Sequence, residues 1–422
     1  QGAPGDPWQP YSTSISGSGH TTKTEYGTNS ASGDRSVRLW RAEEVSTSGQ
    51  EHKRHLTTAG NYDASQLYLA ISKDENWTSG NAGTVEEYKD KEGRIVLKRA
   101  WKDESVKLST YYIYDDLGNL SFVLPPGADP DGSSIGQTSL DGFCYQYRYD
   151  GRNRLIEKRI PGKGWDYLVY NKLDQLVMTQ DSVQRDNGKW LFSKYDALGR
   201  NILTGIASSS SSRDTWQSSV NAQSALWETR DDANTSGTGT GYSNASLPTS
   251  GIDRYHTVSY FDDYGFYGNS FGAPGAGQST FVRGLPTGGR VNILGSGTML
   301  LSVNYYDSEG RVIQSKSQNH LAGTDIVNNA YSFTGELLTS NRSHTSSNGS
   351  VTVVIRNEYD AWGRKKNAFE KINSGNEVTL SDLEYNETGQ LKQKSLHDSL
   401  QTTAYAYNPR GWLKTSSSPQ FA

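Results

Sequence analysis

Seven histidines (His20, His52, His55, His256, His320, His344 and His397) are the side chains best suited to hold a metal or move a proton near neutral pH. Only His52 and His55 are close in sequence. The run His52-Lys53-Arg54-His55 lacks the glutamate and the third ligand of a catalytic zinc site, so no metal is expected. No G-x-S-x-G elbow, Walker loop or Rossmann glycine pattern is present to expose a nucleophile or cradle a phosphate. Asp129-Pro130-Asp131-Gly132 brings two carboxylates together, but Pro-Asp-Gly is plain turn chemistry and predicts a loop. The one thiol, Cys144, has no intrachain partner and reads as a buried small hydrophobe. These residues predict no catalytic centre, no metal and no cofactor.

An acid–base pairing does recur, at turns. Tyr195-Asp196-Ala197-Leu198-Gly199-Arg200, Tyr306-Asp307-Ser308-Glu309-Gly310-Arg311 and Tyr359-Asp360-Ala361-Trp362-Gly363-Arg364 are near copies. Looser copies carry Tyr88 with Gly93, Tyr114-Asp115 with Gly118, Tyr149-Asp150, Tyr170, Tyr385 with Gly389, and Tyr407 with Gly411. Degenerate ones start at Tyr260 and Phe333. The Asp can bond its own backbone two residues on, and Gly supplies positive φ. The Arg is placed to reach back to the Asp or to lie over a Tyr face.

The elements that hold such turns are strands. Tyr145-Gln146-Tyr147-Arg148-Tyr149 alternates aromatic and polar, the period of a two-faced sheet. Tyr111-Tyr112-Ile113-Tyr114 and Val353-Val354-Ile355 suit a pleated surface. Copies recur every ~20–35 residues, room for two short strands and two turns, which marks an array of like units. The reading is all-β: a spiralling array of β-hairpins. Its divisions are 1–84, a Gly/Ser-rich β domain or plug; 85–206, repeats; 207–300, an insertion; and 301–422, repeats that continue beyond the fragment. Residues 221–230 suggest a short helix or strand within the insertion.

The Y-D-x-x-G-R turns resemble the YD (Rhs) repeats of bacterial Rhs and teneurin-type proteins over about residues 85–415. Val123-Leu124-Pro125-Pro126-Gly127-Ala128, Tyr147 to Lys158, and Pro161-Gly162-Lys163-Gly164-Trp165 are similar more narrowly to Rhs proteins of Bacteroidota. The resemblance implies a β-sheet forming a hollow shell, here a partial one, that encloses the protein's own C-terminal toxic domain. It also implies self-cleavage at a D-P-x-G pair beside the cargo. Asp129-Pro130-Asp131-Gly132 is a single early copy, so any self-cleaving aspartates would lie beyond Ala422. Asp181-Ser182-Val183 and Asp398-Ser399-Leu400 match the short O-glycosylation pattern of that phylum.

Composition fits a wet sheet better than a dense core. Only 33% of residues are hydrophobic, with 44 Gly and 26 Tyr, and mean hydropathy is −0.73. Aromatic cross-strand pairs stabilise sheets by ~0.2–1 kcal/mol each, and Tyr keeps a hydroxyl for water. A net charge of −4 without a basic block argues against nucleic acid. No apolar run reaches the length of a transmembrane helix, and Gln1 in place of Cys would exclude a bacterial lipid anchor if it is the mature terminus. The resulting expectation is a non-enzymatic, exported shell, extracellular or on the outer surface of a Gram-negative bacterium. Its partners would be its own C-terminal cargo and an export machinery, the type IX translocon if the source is Bacteroidota. The alternative is a surface adhesin that binds glycans through its insertion and aromatic side chains.

Overall fold

A computed structural model describes residues 22–45, 53–74 and 76–419. His20 and His52 lie outside them, so the His52/His55 pair is not described. The chain is almost all β, 48% strand and 6% helix. Among the described residues, twenty-four strands belong to one antiparallel sheet, and two more form a separate ribbon. Chain contacts divide the molecule into residues 1–190 with 209–222, and residues 191–208 with 223–422.

In the first unit, strand Lys23–Thr28 pairs with Tyr68–Lys73. Pairing then runs in chain order from Val85–Lys89 to Leu176–Gln180. The ribbon, Arg38–Glu44 with Arg54–Asn61, brings Trp40 into a core with Leu67, Leu69, Tyr88, Leu97 and Tyr111. The Asp129–Gly132 loop fastens that ribbon. Pro130 O accepts from Trp40 Nε1 (3.0 Å) and Gly132 O from Arg38 Nε (2.9 Å). Asp131 accepts from the Tyr111 hydroxyl (2.7 Å) and faces the fully buried Arg99 at 3.4 Å. Both carboxylates of the D-P-x-G copy thus sit in a structural loop. Asp181 caps helix Ser182–Asp186 through a capping box with Gln184. Cys144 is buried, and burial pushes its thiol up to about 11.

The second unit pairs strands in the same sequential way, from Asn201–Ser208 through Ile252–Phe261 and Pro286–Asn292 to Leu413–Ser417. Its core lies at the start, where Tyr260 stacks on Phe266 (4.1 Å) and Tyr242 (5.8 Å) over Leu203, Val258 and Val303. Residues 223–300 therefore supply both strands and the cover of that core. The helix of segment 207–300 is Arg213–Ala222, earlier than the 221–230 suggested by sequence, and it belongs to the first unit. Residues 223–230 instead run to a buried ion pair: Lys194 Nζ meets Glu228 at 2.9 Å with both side chains inaccessible. Glu228 also accepts from Ser243 and Ser246 hydroxyls and from the Ala245 and Ser246 amides, so no lone pair faces the core unmet.

Candidate functional site: the turn ladder

Most repeat turns are built by their own Asp, and Asn171, Asn386 and Asn408 take the same slot in others. Oδ1 of Asp115, Asp150, Asp196, Asp307 and Asp360 accepts backbone N–H groups two and four residues on, at 2.8–3.0 Å. The second oxygen takes Nε of the Arg four residues on: Arg154 (2.8 Å), Arg200 (2.6 Å), Arg311 (2.6 Å) and Arg364 (2.7 Å). Gly93, Gly118, Gly199, Gly310, Gly363, Gly389 and Gly411 stand at φ between 75° and 84°, where a side chain would be strained. Asn153 and Asp174, each at φ 59°, take that place in their turns. Burial pushes the Asp307 and Asp360 carboxyls up. The N–H bonds from Arg311 and Arg364 outweigh it and hold both below the usual range.

The same side chains bind each turn to the next. The hydroxyl of Tyr114 donates to Ile95 O (3.1 Å), the carbonyl that opens the neighbouring strand. Tyr149, Tyr170, Tyr306, Tyr359, Tyr385 and Tyr407 repeat this bond on Leu120, Leu155, Pro286, Leu337, Lys365 and Leu391, at 2.6–3.1 Å. Each Arg lies over the ring of the following copy: Arg154 over Tyr170 (4.9 Å), Arg311 over Tyr331 (5.2 Å) and Arg364 over Tyr385 (4.4 Å). Arg154 also reaches Asp174 of the next turn at 2.7 Å, and Arg311 reaches Ser332 O at 3.1 Å. One guanidinium thus closes its own turn and clamps its neighbour. Most hairpins also carry a register shift at the Tyr, as at Ile113/Tyr114 and Glu358/Tyr359, which adds local twist.

Three copies differ from the sequence assignment. Tyr88 is one residue out of step, because Lys89 takes the slot opposite Ile95 that Tyr114 takes opposite Leu120. A one-residue slip turns a side chain to the other face, so Tyr88 is fully buried and donates to Glu86 at 2.8 Å. The copy assigned to Tyr260 is carried by Phe261 and Asp262: Arg200 lies over Phe261 (4.3 Å) and pairs with Asp262 at 2.6 Å. Asp262 then ties off a long excursion by accepting from Gly284 N (2.6 Å). The copy assigned to Phe333 begins at Tyr331, with Ser332 in the Asp slot and Glu336 in the Arg slot, joined by their own hydrogen bonds. Tyr195 closes the strand Lys189–Tyr195, ahead of the Asp196 turn.

Among the described residues, the turn ladder brings no nucleophile, base and oxyanion donor together. The nearest approach is His344 Nδ1 against Asp325 at 2.5 Å, a cross-strand pair in direct register. Among the described residues, no group of three His, Cys, Asp or Glu is placed to hold a metal.

No family model matches the chain by sequence, and no curated protein matches it. Solved structures do. The TcdB2-TccC3-Cdc42 structure aligns with a TM-score of 0.54 at 14% identity, covering 83% of this chain and 15% of that one. TcdB2-TccC3 without its hypervariable C-terminal region gives 0.54 at 11% identity over 95% of this chain and 20% of that one. This chain has an Rhs-like fold. A Photorhabdus luminescens Tc holotoxin pore gives 0.53 at 11%, over 94% and 20%. The chain spans a fifth or less of these relatives' length, so the Rhs-like fold is what they share with it.

Proposed function

We propose that the chain is a stretch of wall in an Rhs-type toxin shell, one that encloses and presents a C-terminal cargo. The observation that carries this reading is the one-layer sheet at residues 312–419. Among these residues only Asn319, Asn357, Ala368 and Ser395 are buried, and three of the four are polar. A sheet half-wet on both faces cannot be the inside of a solid domain. It suits a wall with water on one side and a loosely held chain on the other. The ladder holds such a wall together without a second layer.

In this reading the wall is not an enzyme, and any self-cleaving aspartates belong to other parts of the protein. Export to the outside of a Gram-negative cell would match containment of a harmful cargo. Bacteroidota origin and type IX export rest on the Val123 to Ala128 and Tyr147 to Lys158 motifs. Among the described residues no helix is long and apolar enough to cross a membrane. The test is a cryo-EM reconstruction of the full-length exported protein, with intact mass measured on the same sample. Interior density from a C-terminal polypeptide inside a β-wall is the expected result. A solid particle, or a wall around bulk solvent with no further domain, would reject containment.

A further inference from the structure

The second unit holds a group of side chains that the ladder does not use. Lys194 stands on strand Lys189–Tyr195, and its Nζ lies 2.9 Å from Glu228 Oε1 with both side chains inaccessible. The same Nζ lies 2.8 Å from Oδ1 of Asn244. Asn244 is half-buried, and its Nδ2 donates to Thr249 O at 2.7 Å, which fixes the way the carboxamide points. The carboxamide carbon is one C=O bond, ~1.2 Å, beyond the oxygen that Nζ touches. A carboxylate and a carboxamide thus meet around one amine, brought from three places in the chain.

Stability alone asks only that a buried ammonium be paired. Here burial pushes the Lys194 amine below its ordinary pKa, and the neighbouring Glu228 does not restore it. Burial pushes the Glu228 carboxyl up, but Lys194, Ser243 and Ala245 outweigh it and hold it below the usual range. The pair therefore sets an amine that gives up its proton readily beside a carboxylate placed to take it. A desolvated amine next to a base is how a lysine becomes a nucleophile. Glu228 is fixed by the Ser243 and Ser246 hydroxyls (2.5 and 2.7 Å) and by the Ala245 and Ser246 amides (2.8 and 3.0 Å). Ser243, Asn244, Ala245 and Ser246 are consecutive. The loop that carries the carboxamide therefore also orients the base.

We propose that Lys194 and Asn244 join in an intramolecular isopeptide bond, with Glu228 carrying the protons. Nζ of Lys194 bonds to Cγ of Asn244, and the Cγ–Nδ2 bond breaks. Lys194 begins as an ammonium with three N–H protons and ends as an amide nitrogen with one. The other two pass by way of Glu228 to the departing nitrogen, which leaves as ammonium. Glu228 ends as the carboxylate it was, and no oxidant or co-reactant enters. The half-buried position of Asn244 gives the ammonium a way to solvent. The bond ties the strand to the loop across 50 positions and closes the covering segment over its core. Such a cross-link acts chiefly by constraining the unfolded chain.

The test is tryptic peptide mapping of the purified chain by mass spectrometry, after incubation at neutral pH. The expected product joins the Trp190–Arg200 peptide, uncut at Lys194, to the Asp231–Arg254 peptide, and weighs one ammonia less than their sum. Intact mass alone does not decide, because cyclisation of Gln1 releases ammonia too. Asn244→Ala should abolish the joined species. Glu228→Gln keeps the shape of the side chain and should slow joining at least ~100-fold, the lower end of what a positioned proton carrier contributes. Wild-type peptides recovered separately, with cleavage after Lys194, would overturn the proposal whatever the variants do. Joining at an unchanged rate in Glu228→Gln would overturn the role given to Glu228. The containment reading stands or falls separately, on the reconstruction.

Discussion

Two stretches of the second unit use the same turn and support it differently. Residues 191–208 with 223–306 lay it over a core, where Tyr242, Tyr260 and Phe266 stack and the Lys194–Glu228 pair pins the covering segment. Residues 312–417 have the turn and almost nothing beneath it. Asp196 and Asp360 nevertheless make the same bonds in both settings, with Arg200 and Arg364 reaching the next ring from each. The repeat does not depend on a core for its geometry. Sideways contacts between neighbours take over the role that layer-on-layer packing has in most sheets.

Substitutions can break or sharpen that contrast. The largest expected effect is at Glu228→Ala, which leaves the Lys194 ammonium buried and alone. Stranding one partner of such a pair costs about 3–5 kcal/mol. Hydrogen exchange should accelerate across 201–261 and stay unchanged across 337–407; equal acceleration in both would show that the core also supports the thin stretch. Gly363→Ala places a side chain at φ 75° and should cost about 1–2 kcal/mol, read as a lower urea midpoint. Tyr359→Phe deletes one rung, the bond to Leu337 O, worth about 1 kcal/mol. Its mark should be faster exchange in the Leu337–Ser346 and Gly349–Tyr359 hairpin alone.

Acid should weaken the ladder in the thin stretch. The Asp307 and Asp360 carboxyls are held below their ordinary value in the fold. A depressed folded pKa gives stability that is complete above the unfolded value, about 3.9. That stability fades as pH falls through the folded value. Amides of the turns 307–311 and 360–364 should lose protection as pH drops below about 4, while neutral-pH protection is unchanged. Unchanged protection of those turns below that pH would count against the ion pairs as their support.

The turns were legible in sequence because their contacts are local. Asp196 to Leu198 and Arg200 is a matter of two and four residues, and such bonds follow from residue type alone. The Tyr hydroxyl bonds were not legible, since Tyr359 to Leu337 O depends on pairing and register. Tyr88 shows the limit most plainly: the motif is intact on paper, yet one residue of slip buries the ring. Segment 207–300 resisted reading for a related reason. Glu228 finds Lys194 across 34 positions, and Asp262 waits until Gly284 to close its turn.

Because each arginine closes its own turn and covers the ring of the next, the ladder behaves as a linear chain of nearest-neighbour couplings. Stability in such a chain grows with the number of rungs and is lowest at the ends, which zip and unzip. A cut or a lost rung would therefore not thin the wall evenly. It would create two new ends, and the structure would open outward from that point.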